Sequence, residues 1–236
     1  MNHRTAHGQL GEICVIGKKL TELYQRLFGR FGHRNWWPAN SSFEVCVGAI
    51  LTQNTSWKNV EKAIGNLKNA GRLEAFQLYG MPVDELAALI RPAGYFNVKS
   101  QRLKNFVSCL VERYNGSLEA MFESDVHDLR LELLSINGIG RETADSMILY
   151  AANKPIFVVD VYTRRVLERH NIVGPKTDYD SIRELFETNL ERDVAFFNDC
   201  HAQFVAVGSR YCGRKPRCSG CPLEGFNNLL GANLDS

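Results

Sequence analysis

The sequence predicts an all-α protein. Apolar residues recur at helical spacing in nearly every segment, and strand-type alternation is scarce. The helical segments are punctuated by Gly, Asn-Gly and Pro, with no internal repeat and no low-complexity linker. A chain of 236 residues can bury a large core, as one domain or two small ones. Apolar content of 44% and charged content of 23% are those of an ordinary soluble globular protein. The net charge of +2 is too mild to establish nucleic-acid binding, for which a local basic face matters more. No apolar run approaches the ~20 residues of a membrane span. Residues 1–11 are polar and lack a signal-peptide core, so a cytoplasmic protein, nucleoid-associated if bacterial, is expected. Seven cysteines, an odd number, argue against a disulfide framework in that setting.

In chain order, Leu20, Leu23, Leu27 and Phe28 form one apolar face of a first helix, and the Gly29–Gly32 stretch ends it. His33 to Ser42 is a loop holding Trp36-Trp37-Pro38. Ser41 or Ser42 caps an almost wholly apolar helix through Leu51, expected to be central and buried. Thr52 to Thr55 interrupts with polar groups, and Ser56 caps a helix that runs to Ala70 and closes at Gly71. Asp84 starts a short helix that stops before Pro92. Arg91 to Phe96 is a turn with two aromatics. A longer helix carries Leu103, Phe106, Val107, Leu110, Val111 and Tyr114 on one stripe, and Asn115-Gly116 stops it. Ser124 or Asp125 caps a helix with Val126, Leu129 and Leu133 on its face. A glycine hairpin follows, then a helix with Ala144, Met147, Ile148 and Ala151 inward. Three more helices are expected, to about His170, from Tyr179 to Leu190, and from Val194 to about Arg210.

The stretch from Leu133 to Arg165 organises the chain. Gly138-Ile-Gly140 joins two amphipathic helices, and glycine permits positive φ and close backbone approach. The second helix begins at about Gly140, where its first N–H groups lack intrahelical partners and suit an anion such as phosphate. A tight turn packed by Ile139 explains Gly-Ile-Gly equally well when it is taken alone. Leu-Leu-Ser-Ile-Asn-Gly-Ile-Gly-Arg-Glu-Thr-Ala followed by Val-Val-Asp160 resembles the helix-hairpin-helix plus Gly/Pro/Asp signature of the endonuclease III superfamily of DNA glycosylases. The resemblance implies that Gly138 and Gly140 form the hairpin, with Arg141 beside them on DNA, that Pro155 sits in the loop, and that Asp160 is the catalytic carboxylate. Asn137 departs from the family's usual proline.

The same resemblance covers roughly residues 35 to 225. It implies that Gln53, in Leu-Thr-Gln-Asn-Thr55, fills the hole left by an extruded nucleotide. It implies that Tyr95, in Gly94-Tyr-Phe-Asn-Val-Lys99, wedges into the duplex with Lys99 nearby on DNA. The family fold is a six-helix lobe, expected at 34–154, and a second lobe from both chain ends, 1–33 and 155–236, with double-stranded DNA in the cleft. A monomer is expected. Bifunctional members carry a lysine after the hairpin whose amine forms a Schiff base with the sugar. Glu142 stands in that position here, at the edge of the base pocket or as a simple helix-dipole partner. A monofunctional enzyme that leaves an abasic site is therefore expected. Trp36-Trp37-Pro38, Trp57 after the glutamine, and the Pro92 to Lys99 run resemble the 3-methyladenine glycosylases of the endonuclease III type. In that branch the damaged base would stack on Trp57 against a corner of Trp36 and Pro38, and a cationic alkylated purine suits electron-rich rings. Two alternatives are a bifunctional glycosylase/lyase on oxidised pyrimidines and a non-catalytic DNA-binding module.

Cys212, Cys218 and Cys221 with Pro222 resemble the family's iron–sulfur loop, whose Lys215 and Arg217 would face the DNA backbone. The resemblance implies a 4Fe-4S cluster, but its fourth cysteine should fall near Asn227, and no cysteine follows Cys221. A cuboidal cluster on three thiolates, recruitment of His201 or Cys200, zinc on three cysteines and a histidine, and no metal at all stay open.

Overall fold

The computed structural model describes residues 5–34 and 36–226, and side chains from Val15 onward. Twelve α-helices occur among the described residues, with no strand. They are α1 (Thr5–Phe31), α2 (Ser42–Thr52), α3 (Trp57–Asn69), α4 (Ala75–Gly80), α5 (Val83–Leu89) and α6 (Phe96–Tyr114). Then come α7 (Leu118–Met121), α8 (Val126–Ser135), α9 (Arg141–Ser146), α10 (Val161–Arg169), α11 (Tyr179–Asn189) and α12 (Val194–Arg210). A 3-10 turn at Arg91–Ala93 precedes α6, and a π-helical turn at Met147–Ala151 continues α9. No helix among the described residues is long and apolar enough to cross a membrane.

The chain divides into two compact units. One is Met1–Trp36 with Pro155–Ser236, and the other is Trp37–Lys154. The first packs α1 and α10 on α12, with Leu20, Leu23 and Leu27 almost wholly buried while Phe28 stays 42% exposed. Phe157, Phe186, Phe197 and Phe204 form its aromatic core, the first two stacked at 3.8 Å. Buried Asp199 ties the loop after α1 to α12: it accepts from Tyr24 Oη at 3.0 Å, the Arg34 amide at 2.8 Å and Gln203 Nε2 at 3.1 Å. The second unit wraps α3, α6, α9 and the π turn around α2, which is buried from Glu44 to Leu51.

Local chemistry sets the ends. Ser41 caps α2 by accepting the Glu44 amide at 3.2 Å, and Asp125 caps α8 by accepting the Asp128 amide at 3.0 Å. Asn115 ends α6 in the left-handed region at φ 50°. Two short helices, α4 and α7, fall where no period was evident, since four to six residues carry too few apolar repeats. The fifth helix starts at Val83, after Pro82, one residue ahead of its expected start. The π turn has no counterpart in the apolar pattern, because Met147, Ile148 and Ala151 are buried either way.

Candidate functional site

In the second unit the hairpin is built by a four-residue turn. The Ile139 amide donates to the Ile136 carbonyl at 3.0 Å, and Gly138 sits at φ +95°. Positive φ at the third turn position, with Asn137 at negative φ before it, is the pattern of a type II turn, which favours glycine there. Arg130 of α8 and Asp145 of α9 clamp the two flanking helices through paired bonds of 2.7 and 3.3 Å, with Asp145 fully buried. Gly140 is the N-cap of α9 and offers no side chain to its first amides. Arg141 and Glu142 are exposed in that first turn.

Gln53 caps the C-terminus of α2 and is half-buried. Its Nε2 donates to the Gly138 carbonyl at 3.1 Å and to Thr143 Oγ1 at 2.9 Å, and its Oε1 accepts from Arg102. The glutamine is thus seated on the hairpin. Tyr95 is 73% exposed and has φ 47°, directly after Gly94 at φ 67°. A left-handed aromatic residue costs about 1 kcal/mol or more, and such strain clusters at functional positions.

Lys99 corrects an expectation. It was placed on DNA, but it is 1% exposed, and its ammonium donates to the Leu51 and Ala93 carbonyls at 2.8 Å each. Burial, with the neighbouring Arg102 charge, lowers its pKa to about 8. The charge is spent joining the end of α2 to the 91–93 turn and does not reach solvent.

The aromatic group also differs from the sequence reading. Trp57 is half-buried, and its Nε1 donates to Glu61 Oε1 at 2.9 Å. Trp37 meets Trp57 edge-on at 5.1 Å and Tyr150 at 5.3 Å. Its ring lies so close to α2 that a Cβ on Gly48 would fall 3.3 Å from Trp37 Cζ2. Trp36 is half-buried and Pro38 exposed. Tyr150 was missed because it ends an apolar helix, where an aromatic reads as core.

In the first unit Asp160 is the N-cap of α10. Its Oδ1 accepts the Thr163 amide at 2.6 Å, and its Oδ2 lies 3.7 Å from His201 Nε2. Both side chains are buried. Burial alone would raise the carboxyl pKa, but His201 and the Thr163 amide outweigh it and hold Asp160 below the usual aspartate value. In the sequence His201 offers only a possible metal ligand for the cysteine loop; its place on α12 beside the carboxylate needs the fold.

The cysteine loop does not match the expected cluster. Cys212 is buried, Cys221 half-buried and Cys218 exposed. They line a cavity of about 280 Å³ with Arg169, His170 and Glu224, among others, but His201 and Cys200 do not line it. Among the described residues no group of three or more His, Cys, Asp or Glu is disposed to hold a metal ion. Arg169 Nη1 lies 3.2 Å from Cys212 Sγ and 2.7 Å from the Gly213 carbonyl. A guanidinium occupies the flank of that thiol, and three sulfurs fall short of the four thiolates a cubane cluster takes. Asn227, the fourth position, lies outside the described residues. Lys215 and Arg217 are exposed, and Arg217 donates to the Arg210 carbonyl.

A glycine hairpin clamped between two helices and a buried aspartate at a helix start about twenty residues later define a helix-hairpin-helix protein of the Gly/Pro/Asp type. The HhH-GPD superfamily base excision DNA repair model matches residues 47–192. The chain belongs to that superfamily. It is 48% identical over 206 residues to a Methanocaldococcus jannaschii protein named "Putative DNA repair glycosylase MJ1434", covering 87% of this chain and 94% of the relative. It is 27% identical over 218 residues to the thymine/uracil-DNA glycosylase of Pyrobaculum aerophilum, covering 89% and 90%. Among solved structures, Helicobacter pylori 3-methyladenine DNA glycosylase (MagIII) bound to 1,N6-ethenoadenine superposes with a TM-score of 0.69 at 27% identity, covering 84% of this chain and 97% of that one.

Proposed function

We propose that this protein is a monofunctional DNA N-glycosylase of base excision repair, acting as a monomer on double-stranded DNA. It extrudes a damaged base, cuts its glycosidic bond and leaves an abasic site. The observation that carries the reading is Asp160: a buried carboxylate held ionised at a helix start. An ionised carboxylate cannot donate a proton at neutral pH. It stabilises the developing oxocarbenium ion or orients water toward the sugar carbon. The Thr163 amide holds one carboxylate oxygen, and His201 stands 3.7 Å from the other, so the charge is placed before the reaction begins.

The hairpin from Gly138 to Arg141 takes a DNA phosphate on backbone amides, with Arg141, Lys215 and Arg217 as flanking cations. Tyr95, exposed and already strained, enters the duplex. Gln53, seated on the hairpin through Gly138 and Thr143, compensates lost stacking from that position. Glu142, in place of the nucleophilic lysine, supports hydrolysis without a Schiff base.

An alkylated purine is the leading substrate. Its cationic ring suits the faces of Trp57 and its neighbour Trp37, and MagIII, a 3-methyladenine DNA glycosylase bound to 1,N6-ethenoadenine in its solved structure, has this fold. A uracil or thymine substrate is a second reading, favoured by the Pyrobaculum relative matching 89% of the chain. One panel tests both. Duplexes carrying a single 1,N6-ethenoadenine, 3-methyladenine, uracil or mispaired thymine are incubated with the protein, then treated with alkali. Alkali-dependent breaks at the alkylated purines are expected; breaks at uracil or thymine alone select the second reading, and no breaks on any duplex overturn both.

A further inference from the structure

We infer that Asn105 and Arg102, on one face of α6, are positioning residues that hold the hairpin's central peptide in its phosphate-binding orientation. The inference rests on the proposed use of the hairpin, and it assigns a role to residues that lie outside it.

In a type II turn the second residue has negative φ and the third positive φ, and the turn is distinguished from type I by a flip of the peptide between them. Here that peptide joins Asn137 to Gly138. Proline at the second position is favoured because its ring presets φ. Asn137 has no such constraint, so the peptide needs another restraint.

Two side chains of α6 supply it. Asn105 Nδ2 donates to the Asn137 carbonyl, the oxygen of that central peptide, at 2.9 Å. Gln101 Nε2 donates to Asn105 Oδ1 at 3.0 Å, which fixes the amide with its NH₂ toward the hairpin. Arg102 lies one turn before Asn105, and its stem packs beneath Gly138: a Cβ on Gly138 would fall 2.3 Å from Arg102 Cγ. The Arg102 guanidinium donates to Gln53 Oε1, and Gln53 returns a bond to the Gly138 carbonyl at 3.1 Å. Successive carbonyls, at 137 and 138, are therefore pinned from inside the unit. A flip of the central peptide would break the Asn105 bond and turn the turn's carbonyl edge outward, where an anion is repelled.

Asn105 is neutral, which makes the test clean. Duplex affinity is measured by titrating undamaged double-stranded DNA over a range of salt. Asn105→Ala, and Asn105→Leu of similar volume and better helix propensity, are each expected to raise Kd about three- to tenfold, the loss of one neutral hydrogen bond. The salt slope should not change, because no cation is removed. Asn137→Pro should restore affinity in both backgrounds, since Ile136 is already extended at φ −77° and ψ 119°, as a residue before proline must be. Thermal melts run alongside confirm that each variant is folded. A Kd within about twofold of wild type in folded Asn105→Ala and Asn105→Leu, or no rescue by Asn137→Pro, overturns the inference alone. Failure of the wild-type protein to bind duplex overturns the proposed function and this inference with it.

Discussion

His201 Nε2 lies 3.7 Å from Asp160 Oδ2, with both side chains buried in one unit. The imidazole and the Thr163 amide hold the carboxyl pKa below its unfolded value. The unfolded chain therefore binds the proton more tightly. The stabilisation from this group is complete above the ordinary aspartate value of about 4 and is lost as pH falls through the lower folded value. Excision should stay flat from neutral pH down to that region. His201→Gln removes the imidazole that lowers the Asp160 pKa, so the acid limb of the single-turnover rate profile should move to higher pH. An acid limb in the same place in both proteins would show that His201 does not tune Asp160.

Asp160 also caps α10, so its structural and chemical roles must be separated. Asparagine is as good an N-cap as aspartate, and its Oδ1 can still accept the Thr163 amide. Asp160→Asn should melt within about 1 kcal/mol of wild type and bind duplex DNA normally. Its single-turnover excision rate should fall at least about a hundredfold. Undiminished excision would reduce Asp160 to a cap.

Glu142 occupies the first turn of α9 and is exposed. A carboxylate forms no Schiff base, and the buried amine of Lys99 is committed to two backbone carbonyls. Borohydride added to the protein on abasic duplex should trap no covalent complex. A trapped complex would make the protein a lyase through some other amine.

How far the fold and site were legible depended on whether the signal was local. The long helices were, because burial of Leu20, Leu23 and Leu27, or of Leu103, Phe106 and Leu110, follows directly from spacing. The hairpin was, because Gly138 needs positive φ. Lys99 was misread because nothing local distinguishes a lysine on a helix's exposed face from one whose Nζ ends on the Leu51 carbonyl, 48 residues away. Trp37 and Tyr150 look like core in sequence; only the distances of Trp37 to Trp57 and to Tyr150 make the three an aromatic group. Asn105 and Arg102 gave no signal, since their partners lie across the unit.

Lys99 yields a stability prediction that also tests its removal from the DNA face. Because its pKa falls to about 8 on folding, from an ordinary 10.5, the unfolded state binds more protons between those values. Its contribution makes stability rise with pH across that window. Lys99→Met removes the buried charge but orphans the Leu51 and Ala93 carbonyls, for a net loss of about 1–3 kcal/mol at neutral pH. Urea melts measure this. The salt slope of duplex binding should be unchanged; a slope reduced by about one would return Lys99 to the DNA.

The cysteine loop carries the last prediction. Arg165 Nη1 donates to the Cys212 carbonyl at 3.0 Å, and Arg169 donates to the Gly213 and Arg214 carbonyls at 2.7 and 3.1 Å. Leu223 and Phe226 are buried beneath the loop, and the Phe226 ring meets His170 edge-on at 5.7 Å. Backbone contacts and apolar anchors therefore hold the loop that a cluster would otherwise crosslink. Elemental analysis of protein purified without oxygen should find fewer than four irons per chain, in keeping with three available thiolates. Chelator treatment should leave the thermal midpoint unchanged. Arg169→Ala should lower stability by about 1 kcal/mol, a modest figure because the guanidinium is largely exposed. Four irons per chain, or a midpoint that collapses with chelator, would place a cluster in the loop.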